Sequence, residues 1–293
     1  MWLVLLASLA VATASPLAKA AIGVSPIAIA AGRTAVAAVA IAIAIPRATI
    51  RAVAALDRRG RRAVALGGSL LAAHFALFLG GLARTSLPAA VALVSLEPLS
   101  VVLAAFFAFR IRPTRRELAG VVLATLGAAI VASGAGEGEH RMEGDLLVLG
   151  AVVFYGAYVA MARALRDAMP VLPYAAVVYG VASILLLPAA VVLSRGAAAP
   201  AASWGAVVAL GLVPTLVGHT LTQAAARRVA PPVVALVAPG ETIGSLAIGA
   251  VALGAFPSAV EACGAGLIVA GATVAILARP SPPPAEAPGP RAG

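Results

Sequence analysis

The sequence predicts an all-α membrane protein of ten transmembrane helices, arranged as two inverted five-helix repeats. Three observations lead there. The composition is too apolar for a water-soluble globule, ten windows reach membrane-spanning length, and the chain aligns with itself at a single offset. Of 293 residues, 62% are hydrophobic and 11% charged, with a mean hydropathy of +1.05. A soluble domain is about 45–50% apolar and about 25% charged, so polar residues are too few to cover a globule of this size. The net charge of +10 does not indicate nucleic acid. The basic residues sit in short links between apolar runs, with no basic face interleaved with aromatics. All but Lys19 are arginine and alanine is abundant, which reads as compositional bias rather than function. The single cysteine, Cys263, excludes an intramolecular disulfide and a cysteine-based zinc cluster.

A membrane helix needs about 20 mostly apolar residues. Ten windows qualify: 2–19, 22–46, 63–83, 86–109, 117–134, 145–163, 172–194, 203–226, 230–254 and 258–278. The runs are too long for strands and lack period-two alternation. Turn residues separate them at Asp57-Arg58-Arg59-Gly60, Gly134-Ala135-Gly136, Arg195-Gly196 and Ala255-Phe256-Pro257. The first window is expected to remain in the protein. No basic segment precedes it, and Pro16 directly follows the small residues Ala12-Thr13-Ala14-Ser15. The Pro-rich segment 280–293 is expected to be a disordered tail.

Arginine placement sets direction. The even-numbered links carry Arg47, Arg51, Arg58, Arg59, Arg61, Arg62, Arg110, Arg112, Arg115, Arg116, Arg163, Arg166, Arg227 and Arg228, and the tail Arg279 and Arg291. The odd links carry only Lys19, Arg84, Arg141 and Arg195. The positive-inside rule puts both termini in the cytoplasm. The acidic fifth link, with Glu137, Glu139, Glu143 and Asp145, then lies outside.

Sliding the sequence by 144 residues aligns rare letters: Pro26 with Pro170, Arg84 with Arg228, Pro88 with Pro232, Glu97 with Glu241, Pro113 with Pro257, and Glu117 with Glu261. One shift matches all ten windows as five plus five. The expected units are 1–139 and 140–279. Because five is odd, the second unit enters the membrane in the opposite sense. The arginines agree: the six-arginine link of the first half corresponds to one that keeps only Arg195. Inverted repeats are a transporter architecture, with the site near the midplane between the halves.

An ionisable side chain at mid-membrane costs about 2.5–3.5 kcal/mol on insertion scales and is a functional candidate by default. Five such residues stand out: Arg33, His74, Glu97, His219 and Glu241. Arg33 and Glu97 each lie roughly 16 Å from the outer end of their windows, and Glu241 roughly 16 Å from its inner end, at 1.5 Å per residue. Glu97 and Glu241, equivalent in the repeat, are expected either to line the cavity, attracting an ammonium group or carrying a proton, or only to lock helices together. Arg33 either clamps a substrate carboxylate or forms a structural ion pair with Glu97 at the same depth. His74 and His219 are a proton relay or simply hydrogen-bond carbonyls. Neither has metal-ligand spacing, so no metal and no cofactor is expected. Glu117 and Glu261 suit the positive end of a helix dipole. Gly120, Gly127, Gly264, Gly266 and Gly271 permit close helix approach, or form the seam of a homodimer. Pro88, Pro98, Pro214 and Pro239 free carbonyls that must be satisfied locally.

Three stretches carry a family resemblance: "SPIAIAAGRTAVAA" with Arg33, "LEPLSVVLAAFFAFRIRPTRRELAGVVLATLGAAIVA", and "GHTLTQAAARRVAPPVVALVAPGETIGSLAIGAVALGAFPSAVEACGAGLIVAG". With Ser15-Pro16 in the first window, their order across 2–278 resembles the EamA-type transporters of the drug/metabolite transporter superfamily. Two features depart from that pattern. The acid of the family's Leu-Gly-Glu ending is replaced by Ile111 and Ala255, and the second Glu-Pro pair is Glu241-Thr242. The resemblance implies secondary transport, often export, of amino acids, other metabolites or drugs. The expected protein is therefore a multi-pass transporter of a prokaryotic plasma membrane. Its partners are the lipid bilayer and a small-molecule substrate, not nucleic acid. It is not expected to be an enzyme: no His-Glu-x-x-His and no Gly-x-x-x-x-Gly-Lys motif occurs.

Overall fold

The computed structural model describes residues 2–110, 114–134, 140–194, 199–228 and 237–277. Several sequence expectations fall outside these residues: Ile111, Arg112, Pro113, Glu137, Glu139, Arg195-Gly196, Pro232, Arg279 and the tail, and part of the Gly134-Ala135-Gly136 turn.

All regular structure among the described residues is helical: α1 (Trp2–Val11), α2 (Ala14–Ala20), α3 (Pro26–Ala44), α4 (Pro46–Ala54), α5 (Arg58–Leu82), α6 (Leu87–Val94), α7 (Glu97–Phe109), α8 (Arg115–Ser133), α9 (Met142–Ala164), α10 (Val171–Leu193), α11 (Ala201–Leu210), a π-helical segment (Gly211–His219), α12 (Thr220–Arg228), α13 (Val237–Leu253) and α14 (Ala259–Leu277). Six stretches are long and apolar enough to cross a membrane: 2–20, 26–44, 58–82, 142–164, 171–193 and 201–228. The other four windows contain shorter apolar helices, Leu87–Val101, Leu118–Val131, Gly240–Leu253 and Ala259–Val274. The outer surface is apolar. Val251 is 90% exposed, Ile43 76% and Ile184 71%. A continuous exterior of this kind suits lipid, where hydrocarbon rather than water faces the side chains.

Local chemistry explains where helices start and break. Asp57, expected in a turn, is the N-cap of α5 and accepts a hydrogen bond from the Gly60 N–H at 2.6 Å. The helix thus begins inside the arginine-rich link, five residues ahead of the window, because a capped first turn tolerates charge. Ser25 and Ser86 cap α3 and α6, each followed within two residues by a proline that suits a helix start. At the other end of α13, Gly254 takes a left-handed φ of 65° and ends the helix.

Inside the bundle, prolines break three windows, because a proline ring clashes with the carbonyl four residues back. Pro16 faces Ala12 and separates α1 from α2, Pro98 faces Val94 and separates α6 from α7, and Pro214 faces Leu210, where the chain widens into the π segment.

The closest packing joins the first half of the chain to the second. α8 lies along α14, α5 along α9 and α3 along α10; α7 meets α9, and α1 meets both the π segment and α13. Glycines set these distances. A Cβ on Gly127 would lie 2.7 Å from the Gly264 carbonyl, and one on Gly271 would lie 2.7 Å from the Gly120 carbonyl. These glycines therefore form a seam within the chain, the close-approach alternative, while a Cβ on Gly266 meets open space. Replacing Gly127 by valine should lower the thermal midpoint of the purified chain in detergent by an amount equivalent to about 1–3 kcal/mol, the usual cost of overpacking. Gly266→Ala should leave the midpoint where it is.

Candidate functional site

Arg33, His74, Glu97, His219 and Glu241 all line one cavity. The three broken windows surround it: Val11 and Ala14 flank the first break, Val94 and Glu97 the second, and His219 ends the π segment. The cavity volume is about 20 Å³, and one water needs roughly 10–15 Å³. In this conformation the cavity admits a water or two and no metabolite, so any larger guest requires the helices to part.

Arg33 is 1% exposed. Its Nε donates to Thr215 Oγ1 at 2.8 Å, and its guanidinium carbon stands 4.0 Å from the centre of the Phe75 ring. Its Nη2 has no partner. Thr215 in turn donates to the Leu210 carbonyl at 2.7 Å, the carbonyl that Pro214 displaces. One hydroxyl therefore repairs the proline break and fixes the guanidinium. The Tyr179 hydroxyl supports the same turn, donating to the Thr215 carbonyl at 3.2 Å.

The ion pair expected between Arg33 and Glu97 does not form among the described residues. Glu241 lines the same cavity as both. Equal depth did not make Arg33 and Glu97 neighbours. Instead Glu97 lies 4.0 Å from His74 Nε2. The opposite nitrogen of His74, Nδ1, is 3.0 Å from the Ala151 carbonyl, which makes Nδ1 the protonated donor and leaves Nε2 facing the carboxyl. The His219 ring lies 6.4 Å from that of His74 and 5.2 Å from Phe75, centre to centre. The two histidines thus share a wall of the cavity without a hydrogen bond between them.

Glu97 opens α7 beside the break, and Glu241 sits one turn into α13. The two helices are tied at this level by a hydrogen bond between the Ser95 and Thr242 hydroxyls. Sequence reasoning did not single out Thr215, Phe75, Tyr155 or the π segment. The available signal was Pro214 followed directly by a hydroxyl residue, which marks a carbonyl that needs a new donor. Among the described residues, no three His, Cys, Asp or Glu side chains are grouped to hold a metal ion.

The double duty of Thr215 is testable. Thr215→Val leaves both the Leu210 carbonyl and Arg33 Nε without a partner. It should destabilise the protein by about 1–3 kcal/mol per orphaned group, read as a lower thermal midpoint. Thr215→Ser keeps the hydroxyl and should stay near the parent.

The comparisons agree with this architecture. A solved crystal structure shares the fold, with a TM-score of 0.70 over 94% of this chain and 96% of its own, at 20% sequence identity. A search of curated protein sequences returns no match. The EamA-like transporter family model matches twice, over residues 1–133 and 142–277. Those two matches cover nearly the whole chain, and the chain belongs to the EamA-like transporter family.

Proposed function

We propose that this protein is a secondary transporter that exports a small zwitterionic metabolite, such as an amino acid, from the cell by alternating access around the cavity. The observation that carries the reading is Arg33, a buried guanidinium with Nε anchored and Nη2 free, set across the cavity from the Glu241 carboxylate. A carboxylate on the guest fits the free edge of the guanidinium, and an ammonium group fits the acidic wall. Ten spans in two inverted units, 1–139 and 140–279, give the moving parts. The 144-residue repeat supports this, as do inter-half contacts that exchange in pairs: α5 with α9 answers α1 with the π segment, and α7 with α9 answers α1 with α13. Arginine placement supports cytoplasmic termini, and the family resemblance favours export.

Protons supply the coupling in this reading. The exchangeable proton is assigned to Glu97, because the Nε2 of His74 stands 4.0 Å away as its relay, and Glu241 is left to the ammonium group of the guest.

Two measurements test the scheme. Arg33→Lys replaces a planar fork by a point charge and should weaken amino-acid binding about tenfold or more, in ligand-induced thermal shifts of protein that still inserts. Equal affinity would remove the clamp. In vesicles across a pH gradient, Glu97→Gln should flatten the pH dependence of flux, whereas Glu241→Gln should weaken binding and keep it. Flux by Glu97→Gln that still tracks pH like the parent would exclude Glu97 as the carrier.

A further inference from the structure

A second cluster of ionisable groups is buried far from the cavity, at the end of the bundle opposite the arginine-rich start of α5. α5 has 25 residues and spans roughly 37 Å at 1.5 Å per residue, which separates the two ends. At this end His140 is 3% exposed, Asp145 0% and Glu261 5%. His140 Nε2 lies 2.7 Å from Asp145 Oδ2, and His140 Nδ1 lies 3.6 Å from Glu261 Oε1. The imidazole is thus held between two carboxylates on different helices, α9 and α14.

Each carboxylate is also fixed by hydroxyls and backbone. Thr85 Oγ1 donates to Asp145 Oδ1 at 2.8 Å, and the Ser86 hydroxyl donates to Glu261. Ser258 and Glu261 form a reciprocal cap at the start of α14: the Ser258 N–H donates to Glu261 Oε2 at 2.8 Å, and the Glu261 N–H donates to Ser258 Oγ at 3.2 Å. Three separate parts of the chain therefore meet at His140: the α5–α6 link, the start of α9 and the start of α14. The surrounding charges are Lys19, whose Nζ donates to the Thr85 carbonyl at 3.3 Å, the exposed pair Arg84–Glu143 at 3.2 Å, and Arg141 next in the chain. Glu137 and Glu139 lie outside the described residues.

We infer that His140 is a proton-operated latch that holds this end of the bundle closed. With both ring nitrogens protonated, the imidazolium donates to Asp145 and faces Glu261 with its second N–H, joining α9 to α14. With one proton lost, Nε2 can still donate to Asp145, but Nδ1 turns a lone pair toward the Glu261 carboxylate and that tie is gone. The closed form is favoured at low pH and released as pH rises, because the gain exists only while the second proton is bound. Histidine is the side chain whose charge ordinarily changes between pH 5 and 8. The latch also reaches the cavity. Ser86 caps α6, and the far end of α6, at Val94, borders the break beside Glu97. α9 and α14 both pack on α6, so a change in their separation shifts the short helix that borders the cavity.

The geometry of the latch does not depend on the transport reading, so the test measures distance and not flux. Spin labels are placed at Leu146→Cys on α9 and Ala262→Cys on α14, both exposed sites, in the full chain with Cys263→Ser, reconstituted in lipid nanodiscs. Between pH 5 and pH 8 the ratio of near to far distances should fall about two- to fivefold, the order expected on losing one ion pair. His140→Gln keeps a donor for Asp145 but cannot take up a proton, and should hold one ratio across the range. Glu261→Gln, which removes the charge facing Nδ1, should blunt the response in the same way and serves where His140→Gln does not fold. A parent ratio that ignores pH, or a response that survives in the folded variants, would overturn the latch.

Discussion

Hydrocarbon offers no hydrogen bonds, and that constraint organises this fold. A carbonyl displaced by proline in the middle of the bundle must find a donor from the protein itself. Leu210, displaced by Pro214, receives the Thr215 hydroxyl. Ala12, displaced by Pro16, receives the Ser245 hydroxyl from α13 at 2.8 Å. At the Pro98 break, Ser95 returns to the Val91 carbonyl at 3.1 Å and bonds Thr242 across to α13. Two of these repairs join helices from opposite halves of the chain. The same breaks put polar groups at the level of the cavity, so the discontinuities that cost helix stability are also what builds the site.

The charge of Arg33 raises the same issue at larger scale. A buried guanidinium with no adjacent carboxylate costs several kcal/mol, by the order of magnitude for a desolvated ion. Phe75 beneath it, Thr215 at its Nε and the Glu241 charge across the cavity offset part of that cost. The arrangement stops short of a direct salt bridge. A direct bridge would neutralise both groups and leave nothing for a guest. An arginine held at one edge and open at the other remains available to the carboxylate of the proposed guest.

Much of this was legible in the sequence. Hydrophobic windows marked the helices, the 144-residue offset paired Glu97 with Glu241, and simple residue counting put the ionisable groups at one depth; the five candidates do converge on one cavity. Counting gives height along a helix but not the direction in which a side chain points. That is why a pair between Arg33 and Glu97, at one level, stood among the alternatives, when the fold anchors Arg33 on Thr215 and Phe75. Window length also hides breaks: 2–19 and 86–109 read as unbroken runs because proline and serine do little to lower an average. Periodicity cannot register the π segment, which shows only as Pro214-Thr215. His140 escaped for another reason. It stands between apolar runs, where a histidine looks like any polar link residue, and its importance comes from Asp145 and Glu261, one of them over a hundred residues away.

The two ends of the bundle are closed by different chemistry, and this asymmetry matters more than the symmetry of the repeat. Ser258 and Glu261 correspond to Thr114 and Glu117 in the first half, but Asp145 corresponds to Met1, which carries no acid. At the end opposite His140 the contacts are of another kind. The Gln223 amide donates to the Tyr158 hydroxyl, Arg227 Nη1 donates to the Met169 carbonyl at 2.6 Å, and the Arg227 guanidinium lies 5.0 Å from the Tyr174 ring centre. Amide, phenol and guanidinium ordinarily keep their charge states between pH 5 and 8, whereas histidine is the residue type that ordinarily changes there. A scaffold of two similar halves would open to either side with similar ease. Adding a titratable clasp to one end alone gives the ends different responses to the same proton, so acidity on the His140 side biases which way the cavity faces without any change at the site itself.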